Sequence, residues 1–534
     1  MSDPTGPERV PAMPAGIATA AILVSAGFLA SRLLGVVRTT AIANAFGTDS
    51  DLAAYWVAFR LPDLIFQLVA GATLASAFIP VFARTMVREG SDAAWRLASS
   101  VVNFVLLGTL AFAIIAFILA PWLVPLLAPG LGEGTGRQRE IQDSAVELTR
   151  WMLVSPVFFS LGGMAMGILN ARRHFLTPAF APVTYNLAII FGALVLAKPW
   201  GVHGLVAGVV AGSALHFLVQ VPALRFAGMR YAPHINWRTP EVREVFRLMA
   251  PRTIGLAAAQ LNFFVTTIFF ASLVGDDAIS AITYAWLLAT LPLALFGMAI
   301  STAAFPEMAE QAALDQPAVL GNMIGRNLQL ILFFTLPASV GLMLLSRPIT
   351  VLLLQHGAFS ASASHLTAGA LFFLAIGLCA HASIEILARG FYALSNTLTP
   401  MLIAVVAAAL NFIFALLLIG PLDERGVALA LSLATAVEAA LLWLMLQRRL
   451  SDVDWSGALR SIAHSAVATA VMAVVVGCFV FGFDLTQRTL ETLVLTGAAI
   501  ILGAAAYFAT AIALRMPETG LVLRQVGRLR GRLP

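Results

Sequence analysis

The stretch GIATAAILVSAGFLASRLLGVVR, residues 16–38, decides the fold class of this chain. About 20 predominantly apolar residues are what an α-helix needs to cross the hydrocarbon core of a bilayer. The run exceeds the apolar core of a secretory signal, about 7–15 residues, and it contains Arg32. It therefore reads as a first transmembrane helix, not as a leader cut after Ala43-Asn44-Ala45. Similar runs recur near 53–82, 99–127, 148–170, 177–197, 203–226, 252–274, 278–306, 327–345, 362–390, 399–420, 426–447, 458–483 and 490–514, which predicts fourteen spans. Of the 534 residues, 60% are hydrophobic and 11% charged, against about 25% charged in soluble domains. Alternating runs of about ten residues, the mark of a membrane β-barrel, are not seen. The expected fold class is an all-α polytopic membrane protein with fourteen transmembrane helices. Cys379 and Cys478 both fall inside spans, where they read as small hydrophobic residues.

The same first stretch carries a costly charge. Arg32, Arg60, Arg150 and Arg252 lie within or at the edge of apolar runs, and Arg38 closes the first one. A cation at mid-helix costs roughly 2.5–3.5 kcal/mol on insertion scales, so it needs a wet cavity, a partner or a route to the interface. Cations gathered in a membrane cavity point to an anionic substrate. A planar, permanently charged guanidinium suits phosphate oxygens in particular. Arg32, Arg38, Arg60 and Arg252 are the candidates for that task. Arg150, which opens the fourth span, reads as an anchor reaching for the interface.

Charge in the connections sets the orientation. Arginines crowd the loops after spans 2, 4, 6 and 12 and the tail after span 14, and the alternate loops are poor in them. By the positive-inside rule both termini are expected in the cytoplasm. The net charge of +5 follows from this bias. It favours an anionic membrane surface over nucleic acid as the tail's partner.

The two halves of the chain resemble each other. Phe46-Gly47, Pro62 and Ala77-Phe78-Ile79-Pro80 return as Val274-Gly275, Pro292 and Ala304-Phe305-Pro306, displaced by 226–230 residues. Thr177-Pro178 and Gly204 return as Thr399-Pro400 and Gly426, both displaced by 222. Six spans per half preserve orientation, so the repeats are expected to run parallel about an axis along the membrane normal, an architecture of secondary transporters. The domains expected are an N-lobe over 1–226, a cytoplasmic linker with a short amphipathic helix over 227–251, a C-lobe over 252–450, two extra spans over 451–515 and a basic tail over 516–534.

Proline inside a span frees backbone groups that protein or water must satisfy, so Pro62 and Pro292 are expected to bend their spans beside a cavity. Asp51 and Asp63 flank that bend in the first half and are candidate cavity or gate residues. In span 10, His381, Glu385 and Arg389 recur at intervals of four and share one helix face. That stripe suits either ion coupling or an Arg–Glu pair closing the helix end, and Glu438 in span 12 is open to the same two readings. No P-loop, zinc spacing or nucleophile elbow is seen, so the chain is expected to be a transporter and not an enzyme. No cofactor or metal is expected.

On these residues the chain resembles the MurJ/MviN family of lipid II flippases in the multidrug/oligosaccharidyl-lipid/polysaccharide exporter superfamily. The resemblance rests on Arg32-Leu-Leu-Gly35-Val-Val-Arg38, Ala45-Phe46-Gly47 with Asp51, Phe59-Arg60-Leu61-Pro62-Asp63, Ala77-Phe78-Ile79-Pro80-Val81-Phe82, Gly167-Ile-Leu-Asn170-Ala171 with Pro178-Ala179-Phe180-Ala181-Pro182, and Arg389-Gly-Phe-Tyr392-Ala393 with Asn396-Thr397-Leu-Thr399-Pro400. The resemblance implies a flippase that moves undecaprenyl-pyrophosphate disaccharide-pentapeptide from the inner to the outer leaflet of the bacterial cytoplasmic membrane by alternating access. It implies a cationic cavity between lobes for the pyrophosphate and a groove along the last two spans for the lipid tail. Coupling to a membrane potential or a cation is a further expectation, and because each chain already contains both lobes it is expected to be a monomer, associated with the cell-wall synthesis machinery.

The chain departs from the family pattern where Thr39, Phe66 and the Ala285-Trp286-Leu287 triplet stand at positions often charged in relatives. The cavity is thus expected to be less cationic. Thr266 and Ala415 replace acidic residues that bind a cation in some members, so a sodium-coupled cycle is not expected. Two other readings remain at this point. One is export of another polyprenyl-linked saccharide or an amphipathic drug. The other is a membrane scaffold without transport.

Overall fold

The computed structural model describes residues 15–70, 72–172, 174–450, 455–483 and 490–520. Among them the regular structure is helical throughout, as a chain without water to satisfy its backbone requires. The helices are α1 (Ala15–Phe46), α2 (Ser50–Ala70), α3 (Ala72–Arg88), α4 (Ser91–Leu127), α5 (Gln138–Met152), α6 (Ser155–Ala171), α7 (Leu176–Phe191), α8 (Ala197–Trp200), α9 (Val202–Leu218) and α10 (Val221–Phe226). They continue with α11 (Pro240–Phe264), α12 (Ala271–Val274), α13 (Asp276–Pro292), α14 (Ala299–Ala313), α15 (Pro317–Leu344), α16 (Ser346–Leu354) and α17 (Ala361–Ile376). The last four are α18 (Leu378–Ala393), α19 (Leu398–Arg449), α20 (Trp455–Gly482) and α21 (Leu490–Ala513). Ten helical stretches among the described residues are long and apolar enough to cross a membrane, or eleven with the bent α17–α18 pair taken as one span. The 52-residue α19 is kinked at Asp423, which separates its two apolar arms. The protein is an all-α, multi-pass membrane protein, consistent with the fourteen spans expected.

Two expected spans are broken where the sequence suggested continuity. The fourth is interrupted at Leu153–Val154, ahead of Pro156. The tenth bends by 44° at Gly377. A Cβ at Gly377 would come within 2.8 Å of Ser432 Cα, so the bend sits where two backbones approach. Stretches of π-helix follow α7, α11 and α13 at Gly192–Leu196, Val265–Phe270 and Leu293–Met298. The last begins at the residue after Pro292, where proline has removed a backbone donor.

The chain divides into two compact units. The first comprises Met1–Ile42, Leu61–Ala120 and Leu148–Ile254. Its core stacks Phe78 on Phe82 and Phe82 against Trp95, with Ile168, Leu169, Val242 and Val245 around them. Within it α7 lies against α9 through Gly204, Gly208 and Gly212, one turn apart. A Cβ on Gly208 would fall 2.9 Å from the Gly192 Cα and from the Ala188 carbonyl oxygen. Apolar burial does not drive helices together in lipid, so close backbone approach along small residues does.

The second unit comprises Ala43–Arg60, Pro121–Glu147 and Gly255–Pro534. One cluster joins Met308, Ile324, Ile386, Phe391 and Leu446. Another seats α20 and α21 on α15, where the Tyr507 hydroxyl donates to the Phe333 carbonyl at 2.6 Å.

The repeat is visible in local geometry. Gly201 has φ 53°, ψ −136°, and Asp423, 222 residues on, has φ 51°, ψ −131°. The glycine three residues further meets the same obstacle in each half. A Cβ on Gly204 would sit 2.3 Å from the Leu196 carbonyl oxygen, and one on Gly426 would sit 2.1 Å from that of Leu418, again displaced by 222.

Candidate functional site

Arg32 and Arg38 stand on α1, six residues apart in a helix otherwise made of apolar and small residues. Arg32 is exposed and Arg38 half-buried. Among the described residues no ion pair includes either. Around α1 in the first unit, Asn186 of α7 donates to the Ser31 carbonyl at 3.3 Å. Tyr185 beside it lies within electrostatic reach of both Arg38 and Asp63. Asp63 accepts from Gln67 at 2.8 Å, and Pro62 is buried inside α2.

Arg60 belongs to the second unit and is held differently. Its Nη2 donates to Thr267 Oγ1 at 3.3 Å, and its guanidinium lies 4.6 Å from the centre of the Phe263 ring. A cation over an aromatic face gains about 0.5–2 kcal/mol, more as it is desolvated. The residues just before these two carry a neutral network in which Asn411 of α19 donates to Asn262 Oδ1 at 2.8 Å and Thr266 Oγ1 at 2.6 Å. Arg60's seat, 207 residues away in sequence, was not legible from the chain.

The connections around α13 form a tight layer in the same unit. The Gly132 amide donates to Asp276 Oδ1 at 2.8 Å and the Gly130 amide to Ser272 Oγ at 3.4 Å. Thr48 donates to Asp277, and the Tyr284 hydroxyl donates to the Gly47 carbonyl at 3.3 Å. The Ala358 amide donates to the Asn44 carbonyl at 2.9 Å. Gly47 has φ 62°, and a Cβ there would lie 2.5 Å from the Ala358 carbonyl oxygen, so both backbone and space demand glycine. Asp49 in this layer titrates above the ordinary carboxylate range, first because it is partly buried and then because Asp277 and Asp51 repel its charge. Asp51 itself is exposed in the first turn of α2. Asp276 and Asp277 were not singled out from sequence. Their signal was available, since acidic residues favour a helix N-terminus.

The span-10 stripe separates into two arrangements. Glu385 and Arg389 form an ion pair, and Arg389 also donates to Ser301 Oγ at 3.0 Å and Thr302 Oγ1 at 3.2 Å on α14. His381 instead faces α19 and α13. Its Nε2 is 3.2 Å from Thr435 Oγ1, and its ring meets Trp286 edge-on at 5.3 Å. Glu438 is half-buried on the second arm of α19. Pro292 closes α13, also half-buried.

Arg252 falls in α11, and its side chain lies outside the described residues. Arg150 donates through Nε to the Phe117 carbonyl at 3.2 Å and covers the Phe117 ring at 4.9 Å, an anchoring arrangement. No cluster of His, Cys, Asp or Glu able to hold a metal occurs among the described residues.

Residues 42–497 match the family model described as "Lipid II flippase MurJ". The chain is 32% identical to a protein of Burkholderia cenocepacia named "Lipid II flippase MurJ", over 91% of this chain and 96% of that one. It is also 32% identical to a "Probable lipid II flippase MurJ" of Rhizobium tropici, over 95% and 96% respectively. Among solved structures it is similar to a lipid II flippase MurJ in an inward closed conformation, with TM-score 0.76 and 25% identity over 92% of this chain and 99% of that one. An inward-facing multidrug MATE transporter of the MOP superfamily shares the fold, with TM-score 0.67 and 15% identity over 81% of this chain and 98% of that one.

Proposed function

The chain belongs to the lipid II flippase MurJ family, and on that premise we propose that it carries lipid II, a polyprenyl-pyrophosphate glycolipid, from the inner to the outer leaflet by alternating access. The observation that carries this reading is the open chemistry of α1. Arg32 and Arg38 stand on an apolar helix, and among the described residues neither is in an ion pair. Such a pair of guanidinium groups would receive the pyrophosphate through charge-assisted hydrogen bonds, each worth about 1.5–3 kcal/mol net. Arg60, seated on Thr267 and Phe263, and Arg252 on α11 would complete the cationic set. Asp51, Pro62, Asp63 and Pro292 would shape and gate the cavity.

Both termini would face the cytoplasm, as the arginine-rich connections indicate. The lobes would follow the repeat, 1–226 and 252–450, with the 227–251 linker between them. The last two spans, 451–515, would line the lipid tail, and the tail 516–534 would lie on the inner leaflet. The chain would act as a monomer beside cell-wall synthesis enzymes. Transport would draw on the membrane potential or a cation, for which His381, Glu385, Arg389 and Glu438 are the candidate coupling residues.

The experiment is rescue of a bacterium depleted of its own lipid II flippase. The wild-type chain is expected to restore growth. Arg38→Ala is expected to reach the membrane in normal amount and fail to rescue. Full rescue by Arg32→Ala/Arg38→Ala would refute the assignment of the phosphate site.

A further inference from the structure

The linker between α10 and α11 is built as a surface with two sides. Its inner side is fastened to α3 and α4. The Ala232 amide donates to Ser99 Oγ at 3.1 Å, Asn103 donates to the His234 carbonyl at 2.9 Å, and the Tyr231 hydroxyl donates to Asn103 Oδ1 at 2.7 Å. Glu244 pairs with Arg84, and Phe104, Trp237 and Phe246 meet in an aromatic cluster above the fully buried Val242 and Val245. A segment held this way presents its other side in a fixed pose.

That other side is both apolar and basic. Phe226 is 87% exposed, Ile235 54% and Leu248 42%, while Tyr231 and Trp237, each held on the inner side by one edge, keep 56% and 50% of their surface open. Arg225, Arg230, Arg238, Arg243 and Arg247 are interleaved with them and also exposed. Two glutamates, Glu241 and Glu244, lie among these five arginines; Glu244 is already paired with Arg84, and Arg230 is paired with Asp92 of α4, which leaves the balance basic. A loop that meets only water has no use for large exposed rings at this density. The combination is that of an interfacial segment, whose rings enter the headgroup boundary while its cations meet lipid phosphates.

We propose that residues 225–248 form a docking surface for anionic bilayer lipids, with Trp237 and Phe226 inserted at headgroup depth and Arg238 and Arg247 on the phosphates. Charge complementarity selects this occupant. The excess of arginine matches an anionic lipid surface, and the aromatic residues match its apolar boundary. Among the described residues the side chains of Arg238 and Arg247 make no hydrogen bond or ion pair, so their guanidinium groups are available to it. The surface does not depend on what the chain transports.

The test uses the full chain in liposomes that mix phosphatidylcholine and phosphatidylglycerol, with bromine on the acyl chains of one lipid at a time. The quenching attributable to Trp237 is the difference between the wild type and Trp237→Phe. Brominated phosphatidylglycerol is expected to quench it at least about twofold more than brominated phosphatidylcholine at equal mole fraction. Arg238→Gln/Arg247→Gln is expected to erase that preference while leaving some quenching by both lipids. Raising the salt to about 1 M, where the screening length falls to about 3 Å, should erase it in the wild-type protein without any substitution. Equal quenching by the two lipids would overturn the proposal, since it shows insertion without recognition of charge. So would the absence of quenching by either, which is the outcome if water or an acidic protein partner covers the face.

Discussion

The hairpin of α7 and α9 and the two arms of α19 occupy corresponding places in the two halves of the chain. Their backbones agree closely: Gly201 and Asp423 share one rare conformation 222 residues apart, and Gly204 and Gly426 pass equally close to a preceding carbonyl. Their small residues agree too, with Gly204, Gly208 and Gly212 answered by Gly426, Ala430 and Ala434. The charges do not. At the displacement of 228 set by Phe46-Gly47 and Val274-Gly275, Arg32 and Arg38 correspond to Gln260 and Thr266. The scaffold is doubled while the α1 arginine pair is not, and Arg252 and Arg389 of the second half stand at other positions of the repeat. Packing inside a membrane constrains both halves alike, whereas a single substrate would need that pair only once.

Interchangeable halves would let a cation lost from one be restored in the other. We expect the reverse: Arg38→Ala abolishes rescue of a flippase-depleted strain, and Arg38→Ala/Thr266→Arg does not recover it. Growth of the double variant would break the comparison. Thr266 also accepts from Asn411 in a buried network, so Thr266→Arg alone is expected to lower membrane yield, and Thr266→Val separates that effect.

Close packing should fail in both halves. Gly208→Leu and Ala430→Leu each force a large side chain against backbone or a buried helix face. Losses of about 1–3 kcal/mol are typical of overpacking, and a smaller yield of folded protein in detergent with a lower melting temperature is the readout. Normal melting of Gly208→Leu would contradict the contacts between α7 and α9.

The Glu385–Arg389 pair separates support from coupling. Glu385→Gln leaves Arg389 with Ser301 and Thr302 but no counter-charge. A stability loss of about 1–3 kcal/mol, at the low end for a partly exposed pair, is expected if the pair only closes the helix end. Transport that loses its response to membrane potential in this variant, at unchanged stability, would assign the pair to coupling.

The turns offer a smaller test. Asp423 holds a φ of 51° that glycine tolerates and other residues resist. Asp423→Gly is expected to stabilise the protein by about 1 kcal/mol, and Gly201→Ala to destabilise it by about 1–3 kcal/mol. Thermal unfolding checks both, and opposite signs would mean that the two turns differ in kind.

The smallest effect is on pH. Asp49 titrates above the ordinary carboxylate range because of burial and its neighbours Asp277 and Asp51. The folded protein therefore binds this proton more tightly than the unfolded chain. Its contribution to stability rises as pH falls through the raised value and levels off at the ordinary one, near 4. Asp49→Asn is expected to flatten the pH dependence of melting in that window, and an unchanged profile would contradict the assignment.

The spans were legible because apolar runs of membrane length have few other readings, and the repeat because the Thr-Pro pairs and glycines keep their spacing. The breaks within spans were less legible. Gly377 reads as one more small residue until Ser432 is found against it. Arg32 and Arg38 were visible as charges in apolar sequence. Arg60's seat on Thr267 and Phe263 joins residues about 200 apart, and no local pattern announces such a contact. The shared face of His381, Glu385 and Arg389 was correct as helical geometry. It could not say that Arg389 turns to α14 and His381 to α19.

Passage of lipid II by way of the α1 arginines is the role proposed for this chain. The most direct measurement is the share of lipid II exposed on the outer leaflet in cells whose own flippase has been depleted. With the wild-type chain that share is predicted to return to the level of undepleted cells, and with Arg32→Ala/Arg38→Ala, present in the membrane in equal amount, it is predicted to stay at the depleted level. Exposure restored equally by both proteins, or by neither, would contradict the account.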